Sequence, residues 1–517
     1  MRRVRLLVTS TAAALSFAFA ALAGCGSFEG APAEVGAEAA SEAAVVETGA
    51  VDTSRPDATA PRTLTPIYAR SYGSTVDGGP GTAVPTGMLV DTSGGVIIAG
   101  SYADGPIDVG NHALPAPVGG DAFLVQLDGS GDHVASSVFG DGALQMGGEV
   151  VGSGSRLFAS YYFGGTIFFD ADAGAKAVSQ GVGTNANSAT ARFGPPFQFG
   201  DSYSFTSGDA TRITHLAAGA SGSVITFGDW KNAIKPQSFG SSQSRNNAFP
   251  GLVIARILGS GVDIARADYC PAMASCFASA LGSNTAGEAL VGGHFTGTIT
   301  GFDGGADVTA PSGDDDAYLM KLDPSLNPQW LLSFGGLGSQ EVTAIAAVPA
   351  TSDFVVAGIF HNAFTVAGQA PMPAADGGYD MFVVRVDGTG KVVWAKTFGG
   401  GGDDIVRAIT VDKDANVFLV GDFHGPNLSF GGDVLVNADA AVGRGTTDVF
   451  LAWLDGAGKH VYSSAFGSTG KESPVAVGVD GSGNILVTGS FDEAIDFGAG
   501  EVRGTGATNM FVARLAR

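Results

Sequence analysis

The string Asp387-Gly-Thr-Gly-Lys391 has the glycines and lysine of a phosphate-binding loop, in which backbone N–H groups cradle a phosphate and the lysine reaches it. The spacing that this chemistry needs is missing. No Gly stands five residues before Gly390, and Val392 follows Lys391 where Ser or Thr must hold a metal. Asp412-Lys-Asp-Ala-Asn416 opens like a calcium loop, but Val417 replaces the glycine that turns such a loop, and no Glu closes it. Both strings have close copies, Asp455-Gly-Ala-Gly-Lys459 and Asp480-Gly-Ser-Gly-Asn484, as hairpin turns in a repeat would. The sequence contains no H-E-x-x-H, G-x-S-x-G or C-x-x-C, which removes the recognisable zincin, hydrolase and thiol-redox signatures.

His361 and His424 each lie three residues past a glycine that ends an apolar run, and Asp492 takes that place in a third copy. On adjacent sheets such positions lie roughly 10 Å apart, whereas zinc ligands sit ~2 Å from the ion, so these are read as solvated rim histidines. Arg212, His215 and Arg407 are the strong polar residues on segments that otherwise carry small apolar ones, such as Ala344-Ile-Ala-Ala347, Ala408-Ile-Thr-Val411 and Val475-Ala-Val-Gly478. They are too few for a general acid–base pair. No catalytic residue, metal ligand or cofactor is therefore assigned.

What must position these residues is a repeat. An aromatic followed by Gly recurs at Tyr72, Phe139, Phe199, Phe334, Phe398 and Phe466, with Tyr269-Cys270 as the variant, at intervals of about 65 residues. A small residue ending an apolar run keeps the same period at Gly100, Ser160, Gly228, Gly293, Gly358, Gly421 and Gly489. One unit shows the wiring: strand a over Ile405 to Asp412, b over Asn416 to Phe423, c over Asp448 to Asp455 and d over Lys459 to Phe466. Strand b, with the core Val-Phe-Leu-Val, reads as buried on both faces, and Gly, Asp and Asn supply hairpin turns between a and b and between c and d. Each unit is thus one four-stranded antiparallel sheet. Seven sheets hide their faces only against one another, and radial closure leaves short, protected edges.

Trp394-Ala-Lys-Thr-Phe-Gly-Gly400, Asn416-Val-Phe-Leu-Val-Gly-Asp-Phe423 and Asp448-Val-Phe-Leu-Ala-Trp-Leu-Asp455 resemble the bacterial seven-bladed propeller repeats known as SBBP repeats. The match is weakest over Val134 to Ile264. The resemblance implies an all-β, seven-bladed β-propeller used for binding or display, with no single reaction attached. The chain ends on a c-like strand, Asn509 to Leu515, and starts with a d-like strand, Ile67 to Gly73, so the N-terminal strand should complete the last blade.

Upstream of the propeller, Arg2, Arg3 and Arg5 precede an uncharged run to Ala23, the layout of a secretory signal over residues 1–24. Leu22-Ala23-Gly24-Cys25 resembles the lipobox of bacterial lipoproteins, which implies acylation of Cys25; Gly26 after the Cys favours the outer membrane on the same resemblance. Residues 25–65 are acidic and nearly free of aromatics, a tether whose root-mean-square reach is roughly 35 Å. The propeller then occupies residues 66–517.

The composition excludes two classes. With 45% hydrophobic and 15% charged residues the chain is not disordered, and a net charge of −23 argues against nucleic acid. The expected function is a monomeric, envelope-anchored binding or scaffold module, holding a bilayer through Cys25 and a protein, glycan or envelope polymer through its blades. A channel-centred hydrolase, lyase or quinone-dependent enzyme is the alternative. Antiparallel wiring puts the d-to-a loops and the long b-to-c excursions, such as His424 to Thr447, on one side of the disc, and only that side has material for a binding surface. It carries Asp314, Asp315, Asp316, Glu341, Asp403 and Asp404, so its field should be negative and favour cationic partners. The tether leaves from the opposite side, which would turn this face away from the lipid. Cys270 and Cys276, six residues apart in a d-to-a loop of an exported chain, are expected to form a disulfide.

Overall fold

The computed structural model describes residues 63–76, 79–140, 142–169, 177–180, 187–205, 211–230, 251–258, 261–267, 275–299, 307–310, 313–366, 369–373, 377–438, 446–468 and 470–517. The signal segment, Cys25, the tether up to residue 62 and Cys270 lie outside these residues. The rest is a seven-bladed β-propeller of antiparallel, mostly four-stranded blades. The clearest unit is blade 6, Asp404–Val411, Val417–Phe423, Asp448–Leu454 and His460–Phe466, within a residue of the expected bounds. Its b and c strands are buried at every position, as sheets stacked on both sides require. Blades 2 and 3, where the repeat is least regular, keep the same strand order. The last blade runs Glu472–Val479, Ile485–Phe491, Asn509–Ala516 and then Thr65–Ser74, so the N-terminal strand supplies its outer edge.

The repeat's fixed residues have steric causes. Strand c opens with an acid or amide and an aromatic two residues later: Asp121-Ala-Phe123, Asp316-Ala-Tyr318, Asp380-Met-Phe382, Asp448-Val-Phe450 and Asn509-Met-Phe511. The aromatic ring lies over the strand-b glycine. A Cβ on Gly421 would sit 2.5 Å from Phe450 Cζ and 2.0 Å from the Ile405 carbonyl oxygen, and Gly358 and Gly100 meet Phe382 and Phe123 in the same way. The acid occupies the space beside the glycine of the aromatic-Gly anchor: a Cβ on Gly399 would lie 2.1 Å from Asp380 Cγ, and one on Gly335 2.0 Å from Asp316 Oδ2. Because backbone as well as ring blocks the site, Gly421→Ala should destabilise the protein by about 3 kcal/mol, read as a lowered denaturation midpoint. An unchanged midpoint would mean that the ring and not the glycine sets the spacing.

The tight turns use one device. Asp128, Asp387 and Asp455 each accept, on Oδ1, the backbone N–H groups two and four residues on, and Gly131, Gly390 and Gly458 take positive φ. The Asp387 to Lys391 string is therefore a hairpin turn. Asp412 also caps its turn through the N–H groups of Asp414 and Asn416 and receives Arg517 Nη1 at 2.6 Å.

The b-to-c excursions, expected as material for a binding surface, contain short strands of their own. After strand b of blade 6, Asn427–Ser429 and Leu435–Val436 form a small hairpin that buries Leu428, Phe430 and Leu435 and pairs with the end of the outer strand of blade 5. Phe364–Val366 and Ile107–Asp108 clamp blades 4 and 7 in the same way. These excursions carry apolar side chains that the sequence period did not require, and those side chains spend their surface lacing one blade to the next.

Candidate functional site

The seven innermost strands line the channel, and each breaks register at the same depth, as after Pro85, Gly147, Ile213, Ala278, Val342, Val406 and Pro474. Such a bulge turns one extra side chain out of the pleat. In blades 1 and 5 the extra residue is a threonine that staples the ring: Thr86 Oγ1 donates to the Gly148 carbonyl of blade 2 at 2.8 Å, and Thr343 Oγ1 to the Val406 carbonyl of blade 6 at 2.9 Å. In blades 2, 4 and 6 it is Glu149, Ser279 and Arg407. These three build two polar groups inside the channel.

The first group joins blades 2 and 3. Glu149 takes His215 Nδ1 at 2.9 Å on one oxygen and the Leu216 N–H at 2.6 Å on the other. Both oxygens and the ring are used in holding the two blades together. The side chain of Arg212 lies outside the described residues.

The second group spans blades 4, 5 and 6. Ser279 Oγ donates to Glu341 Oε1 at 2.6 Å, and His294 Nδ1 lies 3.5 Å from the same oxygen. Across blade 6, Arg407 grips Asp422 with Nε at 2.5 Å and a second nitrogen at 3.2 Å. Burial alone would push the Glu341 carboxyl up, but the His294 ring, the Ser279 hydroxyl and the Arg407 charge hold it below its usual range. Burial likewise works against the Arg407 cation, and Asp422 with Glu341 outweighs it, so the guanidinium is held protonated more firmly than usual. Among the described residues no hydrogen bond is made by Glu341 Oε2 or Arg407 Nη1. The Phe277 ring stacks on His294, with centroids 4.7 Å apart and planes at 22°.

The residues expected from sequence distribute as follows. Arg407 and Glu341 come together at this site, whereas His215 belongs to the separate pair with Glu149. Asp403 and Asp314 are exposed, and each braces a loop, Asp403 Oδ1 accepting the Tyr379 N–H and Asp314 Oδ2 the Gly338 N–H, both at 3.0 Å. Asp315 is half-buried. Asp404 and Asp316, expected on the surface, are 0% and 1% exposed. As first residues of an a strand and a c strand they point between blades, so they leave the candidate face. Burial raises their carboxyls to about 7 and about 6, with the Asp380 charge adding to Asp404. Cys276 lies in the innermost strand Ser275–Ser283 instead of a loop and is disulfide-bonded. His361 is half-buried against Asn362 and Tyr379, and His424 is exposed.

Phe277, Ser279, His294 and Asp422 were not singled out from sequence. The signal available was the bulge position, which reads Thr86, Glu149, Ser279, Thr343, Arg407 and Val475 once the units are aligned at their strand-b anchors. A groove of 360 Å³ lies elsewhere, at the rim beside Tyr462, Phe466 and Phe497, and its lining contains no His, Lys, Arg or Cys. No group of three or more His, Cys, Asp or Glu side chains among the described residues could hold a metal ion.

No family model matches the chain, and no curated protein matches it. Among solved structures it is similar to a Dyadobacter fermentans protein of unknown function, at 10% identity and a TM-score of 0.38, covering 87% of this chain and 98% of that one. It is also similar to a Xanthomonas campestris gluconolactonase, at 9% identity and a TM-score of 0.27, covering 90% of this chain and 99% of that one. Likeness at that level bears on neither chemistry nor ligand.

Proposed function

We propose that this protein is a lipid-anchored binding propeller of the bacterial cell envelope, of the SBBP kind, fixed to the outer membrane through Cys25 and presenting its loop side outward. The leader, the lipobox-like junction and the acidic tether support the anchoring. The observation that carries binding is a preorganised polar cluster in the channel, with Ser279 donating to Glu341 and Asp422 gripping Arg407. Here Glu341 is stabilised as a carboxylate and Arg407 as a cation, so both present fixed charge. Fixed, preorganised donors and acceptors are what recognition uses.

Two measurements test this reading. Cys25→Ser should move the protein from the membrane fraction to the soluble one, and retention in the membrane would refute the lipid anchor. The full chain in detergent should retain a partner from envelope extract. Asp403→Lys with Asp314→Lys, both on the exposed loop side, should weaken that retention several-fold, whereas changes in the Asp387 to Lys391 turn should not. The reverse pattern would place the binding face on the hairpin side.

A further inference from the structure

We infer that the two seams flanking blade 6 are proton-operated: at each, two buried carboxyl groups share one proton, and blade 6 loosens from its neighbours when that proton leaves. This holds whatever the propeller binds. The ring repeats one junction between blades, in which the start of an a strand is bonded to the start of the preceding blade's c strand. The N–H of Ala83 donates to the Thr508 carbonyl at 3.0 Å, that of Gln340 to Asp315 at 2.7 Å, that of Asp404 to Tyr379 at 2.7 Å and that of Glu472 to Thr447 at 3.1 Å. Gly120 and Leu144 form the same parallel bridge between blades 1 and 2. Each bond reaches the carbonyl just before the residue that opens the c strand, and this register sets two side chains next to each other across the seam.

What stands at those two places differs from seam to seam. Blades 1 and 2 meet through Asp121 and Gln145, blades 4 and 5 through Asp316 and Gln340, and blades 7 and 1 through Asn509 and Ala83. Among these described junctions, both residues are acids only around blade 6: Asp380 with Asp404 on one side and Asp448 with Glu472 on the other. All four are buried. Asp380 and Asp404 pack on the same two residues, since a Cβ on Gly399 would lie 2.1 Å from Asp380 Cγ and the next N–H, of Gly400, is turned toward Asp404. Asp448 fills the space beside Gly467 in the same manner. Two buried carboxylates side by side cannot both stay ionised, whereas a carboxylic acid beside a carboxylate makes one strong O–H···O bond. At the acid–amide seams a single carboxyl titrates, and at the Asn509 seam none does. The charges that reach Asp404 are those of Asp380, Asp403 and Asp422, and Arg407 is committed to Asp422. At the other seam Lys471 is exposed and acts on Asp492, where Glu493 adds negative charge, and Asp496 shares the rim groove with Asp448. Burial together with the Asp380 charge pushes the Asp404 carboxyl up to about 7, while a hydrated aspartate ionises near about 3.9. Opening the seam therefore releases a proton, and it becomes easier as pH rises from about 4 to about 7.

The test is hydrogen exchange of the full chain in detergent, read by mass spectrometry and corrected for intrinsic rates. Between about pH 5 and about pH 7.5, protection of Asp404–Val411 and Glu472–Val479 should fall by about tenfold or more, while that of Thr82–Val90, whose seam has no acid, should stay within about twofold. Asp404→Asn and Glu472→Gln should each remove the pH dependence at their own seam. Each should also reduce the infrared band of protonated carboxyl groups at about pH 5.5, because each removes one shared proton. The parent chain decides the matter if a variant is unstable: protection that falls equally at all three strands, or at none, overturns the inference. A carboxyl band that neither substitution reduces overturns it as well.

Discussion

A chain lacking Ile67 to Gly73 should not form a stable ring. The strand that contains this segment, Thr65–Ser74, pairs along its length with Asn509–Ala516, and without it the c strand of the last blade becomes an open edge above buried Met510, Phe511 and Val512. It also bridges to the first blade. Tyr72, 1% exposed, donates its hydroxyl to the Gly131 carbonyl at 2.9 Å, Arg70 meets Asp132 at 2.5 Å, and Gly73 pairs with Asp108. Losing these contacts opens the ring at the one seam where chain ends meet, and each blade packs only against its two neighbours. The deletion should therefore abolish cooperative thermal unfolding or lower its midpoint by well over 10 °C. Tyr72→Phe, which removes one buried hydrogen bond and keeps the ring, should cost only about 1 kcal/mol. A deletion variant with an unchanged midpoint would show that blade 7 closes by other means.

The same segment shows how much was legible beforehand. Blade count, strand order and closure all follow from local patterns that recur: an apolar b strand, an Asp-Gly turn, an aromatic-Gly end. Most copies repeat the same steric problem, so the answer is written several times over. The channel site is not periodic. Ser279, Glu341 and Arg407 stand at comparable depth on three blades, yet each is a departure from the repeat, and only closure of the ring brings them together. Asp404 and Asp316 were misplaced for the opposite reason. Acidic residues beside glycines read as surface loops, but these two begin strands, where the pleat turns their side chains inward between blades. Gln145 and Gln340, buried at equivalent strand starts, carried the hint, since an amide there is a poor surface signal and a good interior one.

Asp404→Asn should raise stability near neutral pH and leave it almost unchanged in acid. Asp404 is fully buried, neither of its oxygens has a partner of ordinary hydrogen-bond geometry, and burial together with the Asp380 charge raises its carboxyl to about 7, against a small opposing effect of the Gly400 N–H. In the unfolded chain an aspartate ionises near 3.9. Between those values the folded state binds more protons than the unfolded one, so stability falls as pH rises from about 4 to about 7 and levels off above. Below pH 4 both states are protonated and the residue contributes no pH dependence. A shift of that size corresponds to at most about 4 kcal/mol, and relaxation around the group makes the realised effect smaller. Asparagine is neutral at every pH and can donate a hydrogen bond, as Gln340 does through Nε2 to the carbonyls of Leu337 and Gly338 at the equivalent start of blade 5. Other carboxylates titrate in both directions, Asp316 in the same sense and Asp412 and Asp480 in the opposite one, so the informative quantity is the difference between variant and parent. That difference in denaturation midpoint should be near zero at about pH 3.5 and reach its maximum by about pH 8. A variant destabilised equally at both pH values would mean that Asp404 is ionised and held by a cation at neutral pH.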